Sequence, residues 1–256
     1  MYRIDHQSGF SLIELAIVLF ILSLLLVSLL PPLSAQFEQK EREQTQAQLE
    51  EIKEILYGFT FNQNSTISKN RLPCPDCRDN SVNCVAMTPN DGTEDILAGN
   101  TCASEVGNLP WKTLGVKEND AWGQRFTYRV TDDFADLADG AAIPGACTST
   151  TLNVSFALCS DGDIQVYSSN VATAGATGNV AQDIPVIVIS HGKNWANTPT
   201  AEEEENYDDS TVGTDAQKKF VYRDFSADAT VGYDDLMIWI SPHILRTKML
   251  NAGILP

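Results

Sequence analysis

The residues of this chain whose types and spacing could do chemistry point to charge pairing, crosslinking and cation binding rather than to catalysis. Glu14 is the one charge in the apolar run from Phe10 to Leu30. A carboxylate inside hydrocarbon costs a few kcal/mol even on gentle insertion scales, so such a group usually has a partner. Six cysteines, Cys74, Cys77, Cys84, Cys102, Cys147 and Cys159, lie beyond that run. The spacing from Cys74 to Cys102 lacks the paired knuckles of common zinc modules. Nothing periodic follows Cys74-x-x-Cys77 to make it a thioredoxin-like helix start. Structural disulfides are the better reading: Cys77 with Cys84 would close a short loop and leave Cys74 to join Cys102, with Cys147 and Cys159 as the distal pair. Sequence alone leaves other connectivities open.

His191 and His243 stand near no serine or cysteine in a nucleophile arrangement, and no glycine-rich phosphate loop or paired-histidine metal motif occurs. No catalytic residue is assigned, and neither enzymatic activity nor a cofactor is expected. Calcium is the one ion to weigh. The carboxylates of Glu202 to Glu205, Asp208, Asp209, Asp224, Asp234 and Asp235 could supply oxygen ligands, but no EF-hand spacing is present. Four successive glutamates cannot all face one ion, so the run reads as a solvated acidic loop. No metal site is assigned, and Asp208, Asp209, Asp234 and Asp235 remain weak calcium candidates.

The elements that must position these groups begin with the apolar run. A helix from Phe10 to Pro31 would rise roughly 32 Å, close to the ~30 Å hydrocarbon core of a bilayer. Pro31 and Pro32 remove the amide donors to the carbonyls of Val27 and Ser28, which predicts a kink or local melting there. Residues 38–48 are almost wholly polar and predict a solvent-exposed neck. Leu49, Ile52, Leu56 and Phe59 then recur at helical spacing and should pack on a globular domain.

Beyond the helix, Phe126, Tyr128 and Val130 alternate as in a strand with one buried face. Residues 152–159 and 163–168, around Ser160-Asp161-Gly162, read as a β-hairpin, and 170–182 as a connection. Ile184 to Ser190 is the most apolar run of the domain and fits a central strand buried on both faces, with Pro185 near its beginning. Phe220 to Phe225 and Leu236 to Ile240 supply two further strands. Ser241 as N-cap and Pro242 open a final helix with Ile244, Leu245, Met249 and Leu250 on its apolar side, closed by Gly253.

Gly9, Phe10 and Glu14, followed by an unbroken apolar helix and a proline at position 31, resemble the amino-terminal signature of type IV pilins and pseudopilins. The resemblance implies cleavage between Gly9 and Phe10 by a prepilin peptidase, methylation of the new Phe10 amine, and attraction of Glu14 to the amino terminus of a neighbouring subunit. Asp120-Ala121-Trp122-Gly123, feeding a strand that ends in Tyr128-Arg129-Val130, looks like the start of the sheet in major pseudopilins of type II secretion. Those proteins bind calcium in the loop after their sheet, which is what brings calcium into question here.

The fold expected is α+β and pilin-like: a long N-terminal transmembrane helix packed on an antiparallel β-sheet with disulfide-bonded loops. The segments are a leader at 1–9, a transmembrane and assembly helix at 10–32, its amphipathic continuation at 33–61 and a β-rich globular domain at 62–256. The function implied is a structural subunit of a type IV pilus or a type II secretion-like filament. Its expected partners are other pilin or pseudopilin subunits, the peptidase and the bacterial inner membrane. It would be single-pass with a periplasmic C-terminal domain, reaching the cell surface once in a filament. The many loops favour a minor subunit.

Three other readings compete. An ordinary signal peptide cut after Leu33-Ser34-Ala35 places a bulky leucine where a small residue belongs. A generic anchor leaves Gly9 and Glu14 unexplained. A membrane-tethered periplasmic binding or adhesion protein would not polymerise. Nucleic acid is not expected, because the net charge is −17 and the 17 basic residues are scattered, whereas phosphate binding needs them clustered.

Overall fold

The computed structural model describes residues 11–61, 71–79, 84–98, 101–135, 162–168, 178–195, 201–207, 218–226 and 232–253, leaving out the side chains of 27–35 and 201. The chain divides into two units, Met1–Glu43 and Gln44–Pro256. The helix α1, Leu12–Thr60, supplies residues to both. Its backbone stays helical through Pro31 and Pro32, so the expected local melting does not occur. Proline's fixed φ is compatible with a helix, and what is lost is a hydrogen bond or two.

In the second unit, Leu49, Ile52 and Leu56 of α1 are buried as their spacing requires. Burial also reaches back to Thr45 and Gln48, which the sequence placed in an exposed neck. The cause is polar: Thr45 Oγ1 accepts the Ala121 N–H (3.2 Å), and Gln48 Nε2 donates to the Asn119 carbonyl (3.4 Å).

A four-stranded antiparallel sheet lies against these helix residues, in the order β1 (Val106–Asn108), β2 (Thr127–Val130), β5 (Val186–Ser190), β7 (Leu236–Ile240). The short helices α2 (Trp111–Leu114) and α3 (Asp132–Ala135) flank β2 in sequence. Every residue of β5 is buried. Val186 and Val188 join the core that contains Leu49, Leu56, Tyr128 and Ile240. Ile187 and Ile189 face a second core with Ile164, Val166, Ile184 and Phe220. That second core belongs to a sheet the sequence did not predict, ordered β4 (Asn179–Ile184), β3 (Ile164–Tyr167), β6 (Lys219–Val221). The domain is therefore a helix on a sheet on a second sheet.

The second sheet corrects several expectations. Strand β3 pairs antiparallel with β4 and parallel with β6. Both its edges are taken, so 163–168 is not the second arm of a hairpin with 152–159, which lie outside the described residues. The parallel β3–β6 pair also departs from a single antiparallel sheet. Residues 179–182 are strand rather than connection, and Pro185 divides the apolar run between two sheets. Strand β2 is buried on both faces: Arg129 is fully buried and pairs with Asp163 (2.6 Å) and Glu105 (2.8 Å).

The acidic stretch expected as a loop is a helix, α4 (Ala201–Tyr207). Helix α5 (Pro242–Asn251) follows Ser241 and opens with Pro242, but Ser241 makes no side-chain cap bond. Only Leu245 and Met249 of its expected apolar side are buried; Ile244 and Leu250 are exposed.

Candidate functional site

Ser11 and Glu14 close the start of α1 reciprocally. The Ser11 N–H donates to Glu14 Oε2 (2.9 Å), and the Glu14 N–H donates to Ser11 Oγ (3.4 Å). This is a capping box, which satisfies amide donors that the first turn leaves open. The Ser11-x-x-Glu14 pattern is the sequence signal for this cap. Gly9 and Phe10 lie outside the described residues. From Leu12 to Leu26 the apolar side chains of α1 are exposed on every side. Among the described residues no helix is long and apolar enough to cross a membrane.

The cysteine-rich loop is crosslinked by Cys74–Cys102 and Cys77–Cys84, with Cα separations of 5.3 and 6.0 Å. These are the pairs expected from loop closure, and they leave those four sulfurs no thiolate for zinc or exchange. Cys147 and Cys159 lie outside the described residues. Carboxylates hold the loop's backbone. Glu94 Oε2 accepts the Cys74 N–H (3.1 Å), Asp95 Oδ2 the Cys77 N–H (2.8 Å) and Asp76 Oδ2 the Gly92 N–H (3.2 Å).

The Asp120-Ala121-Trp122-Gly123 turn is held by its own first residue. Asp120 Oδ1 accepts the N–H groups of Trp122 (3.0 Å) and Gln124 (2.8 Å), while Oδ2 accepts the Ser190 hydroxyl (2.6 Å). Gly123 supplies the left-handed φ of 82° that the turn requires. Beside it His191 is buried: its Nε2 lies 2.6 Å from Thr127 Oγ1, its Nδ1 lies 3.8 Å from Asp235 Oδ1, and its ring meets Tyr207 edge-on. A histidine so enclosed is a packed, hydrogen-bonded group.

Of the calcium candidates, Asp208 and Asp209 lie outside the described residues, while Asp234 and Asp235 come together with Glu203 of α4, one of the four successive glutamates named as possible oxygen ligands. One ligand atom from each of the three lies within 4.8 Å of the others. Asp234 Oδ2 accepts the N–H groups of Lys193 (2.9 Å) and Asn194 (3.2 Å), and Glu203 Oε1 accepts the Asp234 N–H (2.9 Å). Asp234 Oδ1 is buried and has no hydrogen-bond partner among the described residues. Burial, with repulsion from Glu203 and Asp235, pushes the Asp234 carboxyl up to about 6. Hard carboxylate oxygens that repel one another and leave one oxygen unpartnered are a fitting donor set for a divalent cation such as calcium.

Other carboxylates set the pH response. Burial raises Asp76 to about 6. Burial and the nearby Asp132 raise Glu105 to about 7 against the pull of Arg129; its side chain is still 41% exposed, so solvent moderates the energetic effect. Burial opposes ionisation of Asp163, but hydrogen bonds and charge from Arg129 prevail and hold it at about 2. Raised groups stabilise the fold below their unfolded value and lose that contribution as pH climbs through the folded one. For Glu105 the loss runs from 4.5 to about 7, and for Asp76 from 3.8 to about 6. Asp163 works oppositely, its contribution being lost as pH falls from 3.8 through about 2. In chelator, the melting temperature should therefore peak near the ordinary carboxylate value of 3.8, where the two opposing losses meet, and decline toward pH 8. A melting temperature that rises steadily from pH 5 to 8 would contradict these assignments.

Comparison with known proteins adds one match. Residues 4–30 fit the model of the prokaryotic N-terminal methylation motif. No curated protein matches the chain, nor does any solved structure. The Gly9-Phe10 junction, Glu14 and most of the apolar run fall inside the matched segment, and the chain thus carries the N-terminal signature of type IV pilins and pseudopilins.

Proposed function

We propose that this protein is a minor pilin or pseudopilin, a structural subunit of a type IV pilus or type II secretion-like filament. Residues 10–32 serve as its single-pass inner-membrane and assembly helix, and the domain beyond faces the periplasm. The observation that carries the reading is the methylation motif at the head of a helix whose apolar side chains from Leu12 to Leu26 are exposed on every side. The signature implies processing by prepilin peptidase and assembly with other pilin subunits. A helix apolar all round needs a lipid or protein surround, and the sequence stays apolar from Val27 to Leu30, past the last described side chain. No enzymatic activity is part of the proposal.

Intact mass and N-terminal sequencing of the membrane-extracted protein test the processing step. The mature chain should begin at a methylated Phe10, and Gly9→Val should retain the leader. A mature terminus at Gln36 would mean that ordinary signal peptidase had acted, and the proposal would fall. Calcium held by Glu203, Asp234 and Asp235 belongs to the same proposal: calcium in place of chelator in the thermal scans should raise the melting temperature, and the absence of any shift removes the ion. A membrane-tethered binding protein is the second reading, favoured by a cleft in the domain.

A further inference from the structure

The cleft lies in the second unit and has a volume of about 500 Å³, within the range of small-molecule sites. Its floor is Thr127 and His191. Its walls are the loop carrying Asn90, the turn at Gly123 and Gln124, and the aromatic pair Trp195 and Tyr207. Three properties define what it could hold. First, Trp195 and Tyr207 are 39% and 45% exposed, so the cleft offers two ring surfaces. Second, its polar lining is rich in carboxamides, which present a donor and an acceptor in one plane.

Third, Arg125 is committed. Its Nε and one terminal nitrogen donate to Glu118 Oε1 (3.0 and 2.7 Å), the other donates to Asn90 Oδ1 (3.0 Å), and the guanidinium lies over the Trp111 ring at 5.0 Å. Arg78 donates to Thr127 Oγ1 (2.5 Å). The guanidinium of Arg125 is thus neutralised and oriented, so it braces the wall instead of awaiting a phosphate or carboxylate.

The wall is also rigid. The Asn90 N–H donates to the Cys77 carbonyl (2.8 Å) and Asn90 Nδ2 to the Arg78 carbonyl (2.7 Å), beside the Cys77–Cys84 crosslink. Fixed walls lower the ordering cost of binding. Peptide addition is poorly served, because the outer edge of β1 is engaged by the Asp76–Asn108 bridge.

We propose that this cleft binds a neutral saccharide: the rings of Trp195 and Tyr207 pack on apolar C–H faces of the sugar, and the side-chain amides of Asn119 and Gln124 hydrogen-bond adjacent hydroxyls. Planar amides with exposed aromatic faces and a charge-balanced cation suit an uncharged polyol that is apolar on one face and polar at its edges. The proposal stands apart from the filament assignment, because every residue it uses lies in the second unit.

The test uses the full-length chain in a sugar-free zwitterionic detergent, with maltose, cellobiose, chitobiose, lactose and sialyllactose as probes. The readouts are saturation-transfer NMR and tryptophan emission. At least one neutral disaccharide should give saturable binding. Trp195→Ala and Gln124→Ala should each weaken it by roughly tenfold or more at an unchanged melting temperature, and sialyllactose should bind no tighter than lactose. No saturable binding by any of the neutral probes overturns the proposal. So does a preference for the acidic sugar, or binding indifferent to Trp195→Ala.

Discussion

Glu94→Ala should destabilise the domain by about 3–5 kcal/mol, the range for removing one partner of a buried ion pair. The Arg71 side chain is 0% exposed and that of Glu94 15%. The two meet through paired contacts of 2.7 and 2.8 Å, the bidentate geometry that makes guanidinium–carboxylate bonds strong. Truncating Glu94 leaves the Arg71 guanidinium with the Leu72 carbonyl and the face of Phe59 for company. It also strips the acceptor from the Cys74 N–H, at the root of the crosslinked loop. Urea unfolding of the oxidised chain gives the number. The double variant Arg71→Met with Glu94→Leu should recover much of the loss, because no buried charge then lacks a partner. A loss below about 1 kcal/mol for Glu94→Ala would place the pair in the class of solvated surface bridges.

Glu14→Leu and Glu14→Gln should both abolish crosslinking to pilin-like partners while membrane insertion and leader cleavage survive. The structure is what makes the pair of variants informative. Glu14 caps its own helix through Ser11, and glutamine retains that bond while removing the charge. If the carboxylate serves as the partner of a neighbour's Phe10 amine, its absence leaves an ammonium unpaired in a poorly hydrated site, where the loss can reach several kcal/mol. Both substitutions then fail alike. If capping is the whole role, glutamine assembles like the wild type and only leucine fails, and the filament assignment of this residue is sunk. Membrane levels, N-terminal processing and crosslinking are compared in parallel.

The sequence was most legible where apolar patterning alone decides the structure. Val186 to Ser190 is a buried strand because every residue but the last is β-branched and apolar, and the burial of Leu49, Ile52 and Leu56 follows from helical spacing. It was least legible where polar groups are buried by specific bonds. Glu203 and Asn206 are each 2% exposed, yet a run of glutamates carries no apolar signal. Asn206 is buried because its amide exchanges hydrogen bonds with the backbone of Val221 (2.9 and 2.8 Å), a long-range pairing that no local window contains. Strand β4 was missed for the opposite reason: Asn179, Val180, Gln182 and Asp183 are largely exposed, so its strand character comes from pairing with β3 rather than from hydropathy. In the functional site, Glu14 and the Cys74–Cys102 loop were visible in the sequence, whereas the trio with Glu203 required the fold to bring α4 beside Asp234.

Strands β4 and β5 are one covalent ribbon, interrupted only at Pro185, that serves two sheets in turn. Side chains alternate in direction within each strand, but Ile184 and Val186, two residues apart, enter opposite cores, so the junction itself sets the phase between the strands. Adding or deleting one residue between Asp183 and Val186 would therefore reverse the phase of one partner relative to the other. Either Ile184 would leave the second core, or Val186 and Val188 would exchange places with Ile187 and Ile189. The junction acts like a keyed coupling between two shafts, and it tolerates substitution far better than a change of length.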